Sequence, residues 1–181
     1  MRKVIFLDRD GTINIEKSYL HKWEDFEFEI NVIEGLKALK SLGYEFIVVT
    51  NQSGIARGYY TEEDLKTLNS EMVKKLNEYD IDILECYYCP HHPEKGLEEY
   101  KKSCDCRKPN PGMLLEGIKK YNIDVKNSFM IGDKKSDLEA GKNAGLKSIL
   151  ILTGYGKKVE KEVESEYLIA QDLLDVYKLI K

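Results

Sequence analysis

Short apolar runs rich in β-branched and aromatic residues alternate along this chain with longer stretches whose apolar residues recur every three or four positions. That alternation is the pattern of strands covered on both faces, connected by helices, in a parallel sheet. The runs at 4–7, 45–49, 83–88, 128–131 and 148–152 predict five strands. Leu65, Leu68, Met72, Leu76 and Tyr79 keep helical spacing behind Thr61 and Asp64, which are placed as an N-terminal capping pair. Leu36, Leu39 and Leu42 predict an earlier helix ended by Gly43. Asn110 and Pro111 suit an N-cap and a first helical position, with Leu114, Leu115, Ile118 and Tyr121 as the apolar face behind them. Leu173, Leu174, Tyr177 and Ile180 predict a last helix. Residues 11–31 and 89–110 follow neither period, and loops of that length inside a compact domain are usually functional. The expected architecture is a Rossmann-like three-layer α/β/α sandwich on a mainly parallel central sheet. It forms one domain over residues 1–181, with no large cap domain.

In open parallel sheets, ligands bind beyond the carboxyl ends of the strands, so polar residues directly after apolar runs mark where chemistry is to be sought. The first run ends in Asp8, with Asp10 two residues on; the second ends in Thr50 and Asn51; the fourth ends, through Gly132, in Asp133, with Asp137 four residues later. Carboxylates at i and i+2, joined by a third from another strand, can share a divalent cation, and hard oxygen ligands suit Mg²⁺. Such a cation offsets the repulsion between an attacking carboxylate and a phosphate dianion. Asp8 is then placed to act as a nucleophile, and Asp10 to protonate a leaving oxygen and activate a water.

Composition narrows the field. Of 181 residues, 42% are hydrophobic and 33% charged, as in ordinary globular proteins, and the net charge of -4 offers no basic face for nucleic acid. No apolar run approaches the roughly 20 residues that span a bilayer. The N-terminal segment meets an acid after only four apolar residues, unlike a signal peptide, so a cytoplasmic monomer with no membrane partner is expected.

Three of the four cysteines fall at 89, 104 and 106, near His91 and His92. Clustered in this way they predict a metal site rather than a disulfide framework. Cys89-x-His91 and Cys104-x-Cys106 supply four sulfur and nitrogen ligands in two close pairs, the closed set of a structural zinc, with His92 competing for the place of His91. The acidic and basic stretch 94–102 has little apolar content to order itself, so a metal clip would hold the loop 89–106 and fix Arg107 and Lys108 after it. Cys86 is expected as a buried strand residue.

Phe-Leu-Asp-Arg-Asp-Gly-Thr-Ile-Asn at 6–14, Thr-Asn-Gln-Ser-Gly-Ile-Ala-Arg-Gly at 50–58, Cys-Arg-Lys-Pro at 106–109 and Ile-Gly-Asp-Lys at 131–134 resemble the four motifs of haloacid dehalogenase superfamily phosphatases, in order. The resemblance implies Asp8 as nucleophile and Mg²⁺ ligand, Asp10 as general acid/base whose carbonyl also touches the metal, and Asp133 as the remaining metal ligand. It implies Thr50 and Lys108 on the transferring phosphoryl group, substrate contacts from Asn51, Gln52, Ser53, Arg107 and Lys134, and support from Asp137. It favours His91 over His92 beside Cys89, Cys104 and Cys106 on zinc. With no lid domain, a small phosphorylated metabolite is expected, and a sugar bisphosphate would give the forked cation of Arg107 a second phosphate to bind. Histidinol phosphate or a broader set of sugar phosphates is the alternative. A catalytically dead binding module would have lost one of Asp8, Asp10, Thr50, Lys108 or Asp133, and all five are present.

Overall fold

The computed structural model describes residues 1–181. Six strands, β1 (Val4–Leu7), β2 (Glu45–Asn51), β3 (Ile83–Cys89), β4 (Phe129–Gly132), β5 (Lys147–Ile151) and β6 (Leu168–Ala170), form one sheet in the order β3-β2-β1-β4-β5-β6. Every neighbouring pair is parallel. The helices are α1 (Val32–Ser41), α2 (Ser53–Ala56), α3 (Glu62–Asn77), α4 (Gly112–Tyr121), α5 (Lys135–Asn143), α6 (Gly156–Val159) and α7 (Leu173–Ile180).

Strand alternation divides the core into two layers. Ile5, Leu7, Phe46, Val48, Ile131 and Ile149 point to one face, where Leu36 and Leu39 of α1, Met72 and Leu76 of α3, and Leu173 and Val176 of α7 cover them. Val4, Phe6, Ile47, Val49 and Met130 point to the other, under Met113 and Leu114 of α4 and Ala140 of α5. This is the expected three-layer sandwich.

The terminal signals act as their chemistry dictates. The Thr61 hydroxyl accepts from the Asp64 N–H at 3.1 Å and the Asp64 carboxylate accepts from the Thr61 N–H at 2.8 Å, a reciprocal capping box. Gly43, at φ +84°, turns the chain out of α1, and the N–H of Tyr44 reaches back to the Leu39 carbonyl. The α4 start differs by one residue from expectation: Pro111 occupies the cap position, and the Asn110 side chain donates instead to the Cys104 carbonyl at 2.8 Å. Strand ends move by one or two residues. β6 escapes the periodicity because it is three residues long with Leu168 and Ile169 exposed, and α5 escapes it because its buried face is mostly small. No helix is long and apolar enough to cross a membrane.

Candidate active site

β1, β2 and β4 end side by side, and the chain leaving each supplies a polar group to one cavity of about 570 Å³. Asp8, Asp10, Thr50 and Lys108 line it, as do Asn51, Gln52, Ser53, Arg107 and Lys134. Asp133 lies behind them, fully buried.

Asp8 and Asp10 have opposite surroundings. The Asp8 carboxylate meets one cation, Lys108, whose Nζ is 2.9 Å from Oδ1 and 2.7 Å from Asp137 Oδ1. Burial opposes the charge on Lys108, but Asp137 and Asp8 outweigh it and raise its pKa, so the ammonium stays charged inside the protein. Asp10, by contrast, is ringed by donors. Arg9 Nη2 lies 3.0 Å from each of its oxygens, Asn14 Nδ2 3.0 Å from Oδ1 and Gln52 Nε2 2.8 Å from Oδ2. Burial would raise the Asp10 pKa, yet the Arg9 charge and these hydrogen bonds prevail and hold it below the ordinary carboxylate range.

Asp133 accepts from the Tyr155 N–H at 2.7 Å through Oδ2, while Oδ1 is buried with no hydrogen-bond partner. Burial and the neighbouring Asp8 charge push its carboxyl up to about 8. Gly11 and Gly154 press on this group: a Cβ at either would lie 2.2 Å from Asp133 Oδ2, and both have positive φ, so glycine is required twice over. Asp8, Asp133 and Asp137 bring carboxylate oxygens within 4.8 Å of one another. Asp137 is already engaged, by Lys108 and by the Lys134 N–H at 3.0 Å. Asp8 and the unpartnered oxygen of Asp133 therefore fit a hard divalent cation.

Other expected residues are held in specific ways. Asn51 lines the cavity, but its amide is committed at both ends to the Lys108 backbone (3.0 and 3.1 Å), so in this structure it positions Lys108. Gln52 also donates to Thr50 Oγ1 at 2.9 Å, and the Tyr60 hydroxyl donates to its carbonyl oxygen and fixes the amide orientation. Lys134 Nζ sits 3.2 Å from Glu16 Oε2 at the rim. Arg9, Asn14, Glu16 and Tyr60 were not among the expected site residues; the polar Asp-Arg-Asp and Asn14 beside the nucleophile were the available signal for two of them.

Beside the cavity, Cys89, His91, Cys104 and Cys106 converge. Their contacts run from 3.3 Å (Cys104–Cys106) through 3.4 Å (Cys106–His91 Nδ1) and 3.5 Å (Cys89–Cys104) to 3.7 Å (Cys89–His91 Nδ1). A tetrahedron of sulfur and nitrogen ligands at zinc bonding distances has edges of about 3.4–3.8 Å, so the cluster could bind zinc. Burial and the Lys102 charge lower the His91 pKa, favouring the neutral imidazole a metal needs. His92 is turned away: its Nδ1 accepts from the N–H groups of Glu94 and Lys95 at 3.1 and 3.0 Å. Arg107, one residue past Cys106, donates to the His91 carbonyl at 3.1 Å.

An acid at the end of the first strand, a second acid two residues on, a buried lysine from a later loop and an acid after the fourth strand define a haloacid dehalogenase-like hydrolase; the HAD-hydrolase-like family model matches residues 105–176. Full-length similarity is more specific. The chain is 47% identical to the D-glycero-beta-D-manno-heptose-1,7-bisphosphate 7-phosphatase of Pasteurella multocida, over 100% of this chain and 98% of that one. It is 46% identical to the D-glycero-alpha-D-manno-heptose-1,7-bisphosphate 7-phosphatase of Photorhabdus laumondii, over 99% and 97%. Among solved structures, the D,D-heptose 1,7-bisphosphate phosphatase of B. bronchiseptica, complexed with magnesium and phosphate, superposes with a TM-score of 0.87 at 28% identity, covering 98% of this chain and 97% of that one. The chain belongs to the family of D-glycero-D-manno-heptose-1,7-bisphosphate 7-phosphatases.

Proposed function

We propose that this protein removes the 7-phosphate of D-glycero-D-manno-heptose 1,7-bisphosphate through an aspartyl phosphate on Asp8. The observation that carries the mechanism is the contrast between Asp8, held by one lysine, and Asp10, whose oxygens are held by four donor contacts, in a cavity that Arg107, Lys108 and Lys134 also line. The substrate comes from full-length relatives of 45–48% identity that carry this activity in their names.

Asp8 attacks phosphorus while the bond to the sugar oxygen breaks, and the Asp10 proton passes to that oxygen. Asp10 is ionised in the free protein, so to act as the acid it first takes up a proton, from solvent or from a monoanionic phosphate group of the substrate. Asp10 then takes a proton from the water that cleaves the aspartyl phosphate. Lys108 and Thr50 neutralise and hold the phosphoryl oxygens, as a transfer with little covalent help requires. A magnesium ion held by Asp8, Asp133 and the Asp10 carbonyl would offset the repulsion between carboxylate and phosphate. Cys89, His91, Cys104 and Cys106 would hold a structural zinc that fixes Arg107 and Lys108. The product, a sugar 1-phosphate, is a substrate for nucleotidyl transfer.

Purified protein with Mg²⁺ is assayed against both anomers of the heptose bisphosphate, fructose bisphosphate and histidinol phosphate. A heptose bisphosphate should have the highest kcat/KM by about tenfold or more. Preference for histidinol phosphate would overturn the assignment.

A further inference from the structure

Arg9 stands between the two catalytic acids and is fully buried, at 0% exposure. A guanidinium in that position is costly unless its N–H groups find acceptors. Nη2 donates to both oxygens of Asp10, each at 3.0 Å, and to the Leu20 carbonyl at 3.2 Å; Nη1 donates to Asn69 Oδ1 at 3.1 Å. Asn69 projects from the buried side of α3, where the helix otherwise presents Leu65, Leu68, Met72 and Leu76. A lone amide in that apolar stripe has Arg9 as its partner. The Arg9 backbone is fixed as well, its carbonyl accepting from the N–H groups of Thr12, Ile13 and Asn14 at 3.2, 2.8 and 3.1 Å.

We propose that Arg9, aimed by Asn69, is the positioning residue that sets the orientation of the Asp10 carboxyl for proton transfer. This rests on Asp10 being the acid/base of the proposed reaction. A carboxylate on a loop turns freely about its last bond, and contact from one nitrogen to both oxygens stops that turn. Asn14 and Gln52 each hold one oxygen. Only Arg9 connects Asp10 to a long helix packed in the core, through Asn69. Lysine cannot replace it, because a single ammonium on a flexible stem does not span Asn69, Leu20 and Asp10 together.

The test separates orientation of Asp10 from general integrity of the loop. In the first half-reaction, Asp8 forms a bond to phosphorus, the bond to the leaving oxygen breaks, and the proton goes from Asp10 to that oxygen. A sugar alkoxide needs the proton, whereas p-nitrophenolate leaves as a stable anion without it. Arg9→Lys and Asn69→Leu are compared with the unmodified protein in Mg²⁺, by steady-state turnover of heptose bisphosphate and by the rapid-quench burst with p-nitrophenyl phosphate. Asp10→Asn is the control. We expect kcat on the bisphosphate to fall about ten- to hundredfold in Arg9→Lys and about three- to tenfold in Asn69→Leu, with KM within about threefold. The p-nitrophenyl phosphate burst rate should stay within about threefold in both. Folded Arg9→Lys with near-normal kcat, or a burst slowed in the same proportion as sugar turnover, overturns the proposal. If Arg9→Lys does not fold, Asn69→Leu decides by the same two criteria. Full turnover in Asp10→Asn would overturn the acid/base reading itself, an outcome distinct from normal turnover in the Arg9 and Asn69 variants alone.

Discussion

Asp8 and Asp10 differ in what their neighbours allow them to do, although they lie on one turn of chain. Asp8→Asn keeps the shape of the nucleophile and removes its charge, so turnover should disappear while the far- and near-ultraviolet circular dichroism spectra stay unchanged. Measurable steady-state phosphatase activity in a homogeneous Asp8→Asn preparation would be fatal to the mechanism. Lys108 has a structural role beside its proposed catalytic one. It is the buried ammonium between Asp8 and Asp137, with Asp133 close by and also buried. Lys108→Ala strands those carboxylates, and removing one partner of a buried pair costs about 3–5 kcal/mol. Chemical denaturation should report a loss of that order, and a shift below about 1 kcal/mol would show that water reaches the site. Asp8, Asp10, Thr50 and Asp133 could be picked out beforehand because each follows an apolar run at a strand end. Arg9 had only its place between the two acids to mark it: a charged loop residue is ordinarily solvated, and the fold is what reveals that α3 closes over it.

At the scale of elements, the long strands and amphipathic helices were legible because burial imposes a period, whereas α5 and β6 were not, one having a small buried face and the other being short and half exposed. The convergence of Cys89, His91, Cys104 and Cys106 was legible in the loop 89–106, but the loop's docking against the helices was not. Its Leu97 N–H donates to the Ala56 carbonyl at 2.7 Å, beside α2, and its Tyr100 hydroxyl donates to Glu62 of α3 at 2.9 Å. A Tyr88 hydroxyl from β3 meets the same carboxylate. The cysteine and histidine cluster thus closes a loop that leans on two helices and carries Arg107 and Lys108 at its end. Cys104→Ser should lose zinc, measured by elemental analysis, and free the amides of 92–106 to exchange with deuterium. Lys108 follows Cys106 by two residues, so if its placement depends on the metal clip, kcat/KM should drop about ten- to hundredfold. Carefully purified protein that contains no zinc and is fully active would contradict this role.

Over the whole molecule, a net charge of -4 coexists with a cavity where Arg107, Lys108 and Lys134 stand among the carboxylates of Asp8, Asp10, Glu16 and Asp137, so the groups that could meet a phosphate are individual cations at the site. These cations divide the work. Lys108 is buried against Asp8, where in the proposed mechanism it would act on the phosphate being transferred, whereas Arg107 is held by a single hydrogen bond to the His91 carbonyl, leaving other guanidinium donors for a ligand. A bisphosphate offers a second anion to such a fork; a monophosphate does not. A charge-assisted hydrogen bond contributes about 1.5–3 kcal/mol, equivalent to roughly ten- to hundredfold in affinity. Arg107→Ala should therefore lower kcat/KM for heptose 1,7-bisphosphate by about that factor and change it much less for a sugar monophosphate. Lys108→Ala, where it remains folded, should impair both alike. The ratio of the two substrates' kcat/KM in each variant is the deciding measurement, since it cancels losses from altered folding. If Arg107→Ala leaves that ratio unchanged while slowing both substrates, Arg107 acts on the transferring phosphoryl group and selectivity resides elsewhere on the rim.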